Sequence, residues 1–463
     1  MKTWTSASNG ASPPSARASN RALKRVGQKS QGLDEEEGSH LLSQEQNAEL
    51  VWLRQGNHIA NAVRPLANKG KKWPVHARFA GGGIQLPITA NLPRGQILYR
   101  CPISLKETGA VAEVGPVFAI LAGEGKNGFI GARLNFRDVI ATARETGAFM
   151  YVIPTNEVQL GNIWYGYVRL GQQRWVRIPC PRPQAVYNRI PTRALERRPS
   201  AIRARQICSQ MGIPMFNPEY FNKARIYEML KQWGVSGFLP DTEPELNEDK
   251  LVSMLKKHSS VYLKPAGGSV GHGMIRIDSV KGGWGVSVLK HGSTQKYVCS
   301  TASTVWYTVR RERVPGSYVI QQAIPMIEYR GHPCDFRVLL QKQSDVWQVV
   351  GRGVRVSGAG RITTHVPNGG SIANADAVLE ESFGEHASSV NDELVQAVVQ
   401  AAQAIDFGYQ GQLGEMSMDI GIDPQGHPWF FEANSKPMKF DEPEIRQKSL
   451  QGVIDQLRDR SGT

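Results

Sequence analysis

The 463-residue sequence has few cysteines and no long apolar segment. Its cysteines are scattered and form no CxxC pair: Cys101, Cys180, Cys208, Cys299 and Cys334. This pattern argues against a disulfide framework or a zinc site, and it favours a reducing compartment such as the cytoplasm. No apolar run has membrane-spanning length, which predicts no transmembrane segment. Residues 1–20 lack the apolar core of a secretory signal.

Motifs for nucleic-acid binding are also missing, although the chain is basic. The formal net charge is +14, and basic residues concentrate in 17–29 and 182–205. No zinc-finger, helix-turn-helix or RNP pattern accompanies them. We therefore interpret these residues as solvated faces, or as contacts for polyanionic surfaces or anionic substrates, and expect no specific binding of nucleic acid.

The order of predicted elements divides the chain into three parts. A segment rich in Ser, Ala, Asn, Gly and charge predicts a disordered polar tail at 1–72, with one short helix at 44–53. A small β segment and an α/β domain follow at 73–205, where a strand–helix–strand pattern at 114–153 indicates a βαβ unit. The third part, 206–457, contains the motifs that carry chemistry.

Three helices are predicted in this third part from their capping residues. Asn217, followed by proline, predicts a helix that ends near Trp233. Lys223 lies near the start of that helix, where the helix dipole disfavours a cation unless an anion is close. Asn247 and Asn391 predict the beginnings of two further helices.

A glycine-rich loop between two predicted strands is the most distinctive segment. In SVYLKPAGGSVGHGMIRI, Lys264 ends the first strand, and the loop contains Gly267, Gly268, Ser269, Gly271, His272 and Gly273. Glycine lets backbone N–H groups approach an anion, and lysine adds a compact positive charge. The order excludes a Walker loop and a Rossmann turn. Alone, the loop fits a phosphate site or a plain surface turn.

Two later strand pairs carry charged residues. A strand that starts at Asp335 alternates, so that Asp335 and Arg337 lie on one face and its apolar residues on the other. The next strand, 346–356, carries Arg352 and Arg355.

Three oxygen-bearing side chains fall on the last predicted strand pair. Glu432 and Asn434 are two residues apart and therefore face the same way, and Asp419 can lie opposite them. Carboxylate and amide oxygens suit Mg²⁺. The apolar flanks indicate a buried pair of strands, in which carboxylates need partners. The alternative is a solvated acidic hairpin.

In their order, these motifs resemble the ATP-grasp superfamily and, within it, the YheC/YheD-like endospore coat-associated proteins. The resemblance covers about 114–457 and rests on VGPVFAIL, PQAVYNRIP, FNKARIYEML, FLPDT, VYLKPAGGSVGHGMIRI, YVIQQAIP, DFRVLLQK and MSMDIGID…WFFEANSKP. It departs at Ala224, where the family would have an aromatic residue, and in the polar tail. It implies an α/β fold: an ATP-grasp domain of two α+β subdomains, preceded by an α/β pre-ATP-grasp domain.

The resemblance also implies roles for individual residues. Lys223 and Lys264 would contact ATP phosphates under the glycine loop. The hinge residues would offer main-chain groups to adenine: Gln321, Gln322 and Ala323. The ligands of one or two Mg²⁺ would be Asp419, Glu432 and Asn434. Arg337 would steady the transferred phosphoryl group, assisted by Arg352 or Arg355. Lys436 would meet the phosphate or a carboxylate substrate, and Asp335 would bind ribose or pair with an arginine.

Two functions stay open at this point. The first is an ATP- and Mg²⁺-dependent carboxylate–amine or carboxylate–thiol ligase in the bacterial cytoplasm, acting through an acyl phosphate on a peptide or a cell-envelope or spore component. Phosphoryl transfer of this kind needs positioning and charge neutralisation more than a protein nucleophile. The second is a structural protein that binds nucleotide without turnover, associated with the spore coat and its proteins.

Overall fold

The structure, a computed structural model, describes residues 47–66, 73–79, 85–108, 111–170, 174–265, 272–290, 293–358, 370–438, 440 and 442–463. All of them belong to one contact unit, Gln46–Thr463. No helix within these ranges has the length and apolar character needed to cross a membrane.

Short strands make up the first ordered region. They are β1 (Ala48–Gln55), β2 (His58–Pro65), β3 (His76–Phe79), β4 (Gln85–Pro87), β5 (Gln96–Ile103), β6 (Leu105–Thr108) and β7 (Val111–Val114). Two sheets result, ordered β2-β1-β5 and β4-β3-β7-β6, and a single bridge between Val63 and Ile88 joins them.

The short helix predicted at 44–53 is wrong, because Ala48–Gln55 is a strand paired on both sides. A tight turn at Gly56, whose φ is 58°, joins it to β2. Leu50, Val51 and Trp52 are all buried, so pairing and burial override the polar composition of the surrounding segment. Residues 1–46 and 67–72 of the predicted tail lie outside the described residues.

An α/β region follows, with a mixed sheet that we call the N-terminal sheet. Its strands are β8 (Val117–Gly125), β9 (Gly128–Ile130), β10 (Phe149–Pro154), β11 (Ile163–Leu170), β12 (Arg174–Pro181), β13 (Ala185–Asn188) and β14 (Met215–Phe216). Its helices are α1 (Arg133–Glu145), α2 (Arg193–Glu196) and α3 (Pro199–Gln210). The order is β12-β11-β10-β8-β13-β14, and β8 and β10 are parallel across α1. The predicted βαβ unit is therefore present.

The next sheet, which we call the small sheet, is antiparallel and ordered β15-β20-β16-β17-β18-β19. Its strands are β15 (Thr242–Glu243), β16 (Ser260–Pro265), β17 (Ile275–Val280), β18 (Gly283–Lys290), β19 (Ser293–Cys299) and β20 (Tyr318–Gln322). Helices α5 (Glu248–Lys257) and α6 (Ala302–Glu312) pack on this sheet, whereas α4 (Lys223–Gln232), which precedes it in the chain, buries Ile226, Met229 and Leu230 in a different core cluster.

The capping predictions were right for one of these helices. The Asn247 side chain accepts the Lys250 N–H at the start of α5. The helix predicted from Asn217 instead begins at Lys223, because Asn222 caps it. Asn217 is fully buried with a φ of 57° and uses its amide elsewhere.

The last sheet, which we call the large sheet, is ordered β24-β23-β22-β25-β26, with β21 beside β22. Its strands are β21 (Glu328–Tyr329), β22 (His332–Gln343), β23 (Val346–Val356), β24 (Ser371–Asn374), β25 (Glu415–Ile422) and β26 (Pro428–Asn434). The helices are α7 (Ala375–Phe383), α8 (Ala387–Gly408) and α9 (Pro443–Ser461). Helix α8 begins at Ala387 and not at the predicted Asn391.

The large sheet has one apolar and one charged face. Phe336, Val338 and Leu340 pack against buried residues of α7 and α8, as the alternation predicts. The opposite face, which we call the site face, carries Asp335 and Arg337. Helix α9 then returns to the N-terminal sheet, where Val453, Ile454 and Leu457 pack beside Phe118 and Tyr187.

Candidate functional site

Two carboxylates and two arginines form a connected group on the site face. Arg355 donates to both oxygens of Asp335 at 2.8 and 2.6 Å, and its Nη2 lies 2.9 Å from Asp419 Oδ2. Arg337 donates to Asp419 Oδ1 at 3.1 Å and to Oδ2 at 3.3 Å. The strand register explains the group, because Asp335 lies opposite Arg355 and Arg337 lies opposite Asp419.

Electrostatic interactions favour the ionised forms of Asp419 and Arg355. Burial alone would raise the pKa of Asp419, but Arg355 and Arg337 outweigh it and hold that pKa below its ordinary value. Burial would lower the pKa of Arg355, and the carboxylates Asp419 and Asp335 raise it instead. The buried Arg355 still has one donor atom, Nη1, without a hydrogen-bond partner among the described residues.

Glu432 and Asn434 extend the group along β26. Glu432 pairs directly with Asp419 across the strands, and Asn434 pairs with Ser417. Both are half-buried. Lys223 Nζ, at the start of α4, lies 3.2 Å from Glu432 Oε2. The cation that the helix dipole disfavours at this position therefore has a carboxylate partner.

Lys264 reaches the same space from the small sheet. Its ammonium donates to the Gln321 side-chain oxygen and lies 5.5 Å above the Phe431 ring and 5.7 Å above the Tyr262 ring. The Gln321 amide nitrogen donates to Tyr227 Oη at 2.7 Å, which fixes the amide orientation. The side chain of Gln321 thus holds the Lys264 ammonium in position.

Charged side chains from both sheets act on Lys264. Burial, with a smaller effect from Lys223, lowers the pKa of Lys264 to about 8, although Glu432, Asp335 and Asp419 oppose the shift. The structure thus gathers four cations and three carboxylates: Lys223, Lys264, Arg337, Arg355, Asp335, Asp419 and Glu432. The surplus is one positive charge, which suits a polyanion.

Two predicted catalytic residues lie elsewhere. Arg352 is opposite Val338, on the helix-covered face of the large sheet, and donates to Asp376 at 2.9 Å. Lys436 is buried and donates to Asn188 Oδ1 and to the Ile190 carbonyl, both at 3.2 Å, and to Glu196. Of the two arginines that were alternatives for assisting Arg337, Arg355 lies on the site face and Arg352 does not.

Two of the main-chain groups that were predicted to contact adenine at the hinge already have partners. The N–H of Gln322 donates to the Asp241 carbonyl at 2.8 Å, and that of Ala323 donates to the Ser260 carbonyl at 3.0 Å. These two donors are used within the protein, so they are not available to a base.

Part of the glycine loop lies outside the described residues: Gly267, Gly268, Ser269 and Gly271. His272 is exposed. Gly273, with a φ of 76°, donates its N–H to the Leu289 carbonyl at 2.9 Å and accepts from Tyr318 Oη at 2.8 Å. A Cβ at Gly273 would lie 2.6 Å from a Val314 methyl, so the end of the loop needs glycine.

The candidate metal ligands fit a hard cation in kind. Glu432 Oε1 and the Asn434 amide make no hydrogen bond with described residues, so their oxygens are available, whereas Asp419 is shared with two arginines. No group of three or more His, Cys, Asp or Glu side chains suited to a metal occurs in the part of the chain that is described. Two carboxylates and one amide, completed by phosphate and water oxygens, match the preference of Mg²⁺.

Comparisons with known proteins agree with these motifs. Residues 212–458 match the family model described as YheC/D like ATP-grasp. The chain is 28% identical to endospore coat-associated protein YheD of Bacillus subtilis (strain 168) over 310 residues, 66% of this chain and 68% of that protein. Identity to YheC of the same organism is 22% over 215 residues, 46% of this chain and 58% of that protein. A solved structure of the ATP-grasp ligase PsnB, with precursor peptide PsnA2 and AMPPNP, is similar at 14% identity with a TM-score of 0.42, covering 74% of this chain and 97% of that one.

Proposed function

Because the chain belongs to the YheC/D-like ATP-grasp family, we propose that it is an ATP- and Mg²⁺-dependent ligase that joins a carboxylate to an amine or a thiol. One observation carries the proposal. Lys264 of the small sheet and Glu432 of the large sheet act on the same space, together with Lys223. A triphosphate between the two sheets would meet cations from both sides.

The nucleotide is assigned to the space between the two sheets. Lys223 and Lys264 bind its phosphates. The adenine lies at the hinge after β20. The N–H groups of Gln322 and Ala323 already donate to carbonyl groups of the protein, so the adenine contacts carbonyl groups of the hinge or main-chain groups that follow Ala323.

Asp419, Glu432 and Asn434 are the proposed holders of Mg²⁺. When bound, the ion neutralises charge on the phosphate oxygens and orients them. Arg355 fixes Asp419 from the side away from β26. The second Glu432 oxygen and the Asn434 amide oxygen are the other proposed ligands of the ion.

The proposed reaction has two balanced steps. A substrate carboxylate oxygen attacks the terminal phosphorus of ATP, the bond to the bridging oxygen breaks, and ADP leaves. An amine or thiol then attacks the acyl carbon, phosphate leaves with the bonding electrons, and the nucleophile loses its proton to solvent. Arg337, whose side chain is 26% exposed, donates to the developing charge on the transferred group. Lys436 has no part in these steps, because it is buried in another network.

The acceptor and donor are proposed to be a peptide or a cell-envelope or spore component. Support comes from the names of YheD and YheC, which associate those proteins with the endospore coat. The same names favour a second candidate function, a coat-associated protein that binds nucleotide without turnover. The binding residues are common to both functions.

Release of ADP separates the two functions. Purified protein is incubated with ATP, Mg²⁺ and mixtures of carboxylates with amines or thiols, and ADP is measured. A ligase releases ADP only when both substrates are present, and Glu432→Gln abolishes the signal. Binding of AMPPNP without ADP release across peptides and envelope precursors would favour the structural role. Absence of nucleotide binding would reject both.

A further inference from the structure

The segment that follows the last proposed metal ligand is held by residues from outside the large sheet. Ser435 and Lys436, which come directly after Asn434, are 1% and 8% exposed. The Asn217 amide donates to the Ser435 carbonyl and, at 2.9 Å, to the Glu415 carbonyl. Asn217 thereby ties the end of β26 to the beginning of β25.

A buried ion pair holds the next residue. The Lys436 ammonium donates to Glu196, which ends α2 in the N-terminal α/β region. The second Glu196 oxygen accepts the Tyr220 N–H at 2.8 Å, and Asn188 Oδ1 accepts from Lys436 at 3.2 Å. Both partners have side chains less than one-tenth exposed, at 3% and 7%. Because separating this buried ion pair would leave an unpaired charge away from water, the pair holds Lys436 in a fixed position.

Arg189 supplies a third contact. Its Nη2 donates to the Pro437 carbonyl at 2.9 Å, and its Nη1 donates to Glu415 Oε1 at 3.3 Å. Glu415 also accepts from Tyr187. Arg189 comes directly after β13 of the N-terminal sheet. It therefore contacts the first residue of β25 and the segment that follows β26.

These contacts matter because β26 is an edge strand. Among the residues that the structure describes, the sheet order ends at β26, whose main chain is paired with β25 on one side only. Asn434 is its last residue. Without further support, the end of an edge strand would fray and the two oxygen donors at its end would lose their relative position.

We propose that Glu196 and Arg189 are positioning residues for the metal ligands: together with Asn217, they form a clamp on Ser435, Lys436 and Pro437 that fixes Glu432 and Asn434. The inference rests on the proposed function, because it needs Mg²⁺ to bind with the nucleotide. If Glu196 and Arg189 act in this way, the N-terminal region contributes to metal binding in the ATP-grasp domain, although it makes no proposed contact with ATP.

The test separates metal binding from nucleotide binding. The dissociation constant of AMPPNP is measured by calorimetry with Mg²⁺ and with EDTA. Partners behind a metal ligand typically change metal affinity by about 10–100-fold when mutated. Glu196→Gln and Arg189→Met should therefore lose about tenfold of the Mg²⁺-stimulated affinity. Affinity in EDTA, which the lysines determine, should stay within about twofold.

Two further variants keep the test decisive. Glu196→Gln combined with Lys436→Met removes both buried charges, so it folds even where one unpaired charge would not, and it should show the same loss. Glu124→Gln is the matched control, since Glu124 pairs with Arg198 at 3.2 Å on the surface of the same region. It should change neither constant.

The outcomes are distinct. If wild type and the folded clamp variants show the same Mg²⁺-stimulated affinity, the clamp is refuted while the proposed function stands. If wild type shows no Mg²⁺ stimulation, the proposed function fails and the clamp with it. Loss of affinity in EDTA as well, with the melting temperature unchanged, would refute the clamp because the effect would then not belong to the metal.

Discussion

Nucleotide affinity should depend on pH through Lys264. The ammonium is the form that binds phosphate, and burial lowers its pKa to about 8. A lysine whose pKa is lowered is charged below that value and neutral above it. Affinity should therefore be high near pH 7 and fall as the pH rises through 8.

The pKa fixes the size of the effect. With a pKa of about 8, the charged fraction falls roughly tenfold between pH 7 and pH 9. The apparent dissociation constant should rise by the same factor, because only the charged form is competent. In Lys264→Met this dependence should disappear. At pH 7 the variant should also bind more weakly by about 1.5–3 kcal/mol, the usual worth of a hydrogen bond to a charged group.

The assay is calorimetry with AMPPNP and Mg²⁺ from pH 7 to 9. Lys256→Met is the control, because Lys256 is an exposed lysine in the last turn of α5 and should keep both the affinity and its pH dependence. Equal pH dependence in wild type and Lys264→Met would refute the assignment. So would a dissociation constant for Lys264→Met at pH 7 within about twofold of wild type.

Four other substitutions test the geometry of the site. Arg355→Met should lower the free energy of unfolding in urea by about 3–5 kcal/mol, because it removes the buried cation that bonds to both Asp335 and Asp419. Arg352→Met should cost less than about 1 kcal/mol, and equal losses would contradict the assigned faces. Glu432→Gln should remove the Mg²⁺-stimulated part of AMPPNP affinity; if the stimulation persists, the metal assignment is wrong. Gly421→Ala would place a Cβ 2.4 Å from the Phe431 ring. It should therefore cost about 1–3 kcal/mol and weaken nucleotide binding, which a wild-type dissociation constant would contradict.

Much of the fold follows from local patterns. The ATP-grasp α/β fold was predicted from ordered motifs, and the family match confirms it. The apolar face of β22 followed from alternation alone. The errors at 44–53 and Asn217 have a common cause. In both places, contacts with residues distant in sequence decide the backbone: pairing with β5 for the first, and hydrogen bonds to Glu415 and Ser435 for the second.

Sequence alone could not decide between Arg352 and Arg355, because a β-bulge determines which of the two lies on the site face. Near the hairpin turn the register pairs Gln343 with Val346, and an unbroken register would place Arg352 opposite Arg337, on the site face. The register shifts by one residue at Leu339, with Val350 as the extra residue of β23. A shift of one residue turns every later side chain to the other face. Arg352 therefore points to the helices.

A second bulge solves a conflict within β26. Phe430 and Glu432 are two residues apart, so a regular strand would send both to the same face. Phe430 nevertheless lies in the apolar core, while Glu432 lies beside Asp419. The register shift between Asp419 and Ile420 leaves Phe431 as the extra residue, so the strand changes faces between its apolar and its charged parts. The ring of Phe431 then lies under Lys264. Each bulge changes the face of the large sheet to which the later side chains of its strand point. Together the two bulges place Arg355, Asp419 and Glu432 on the site face.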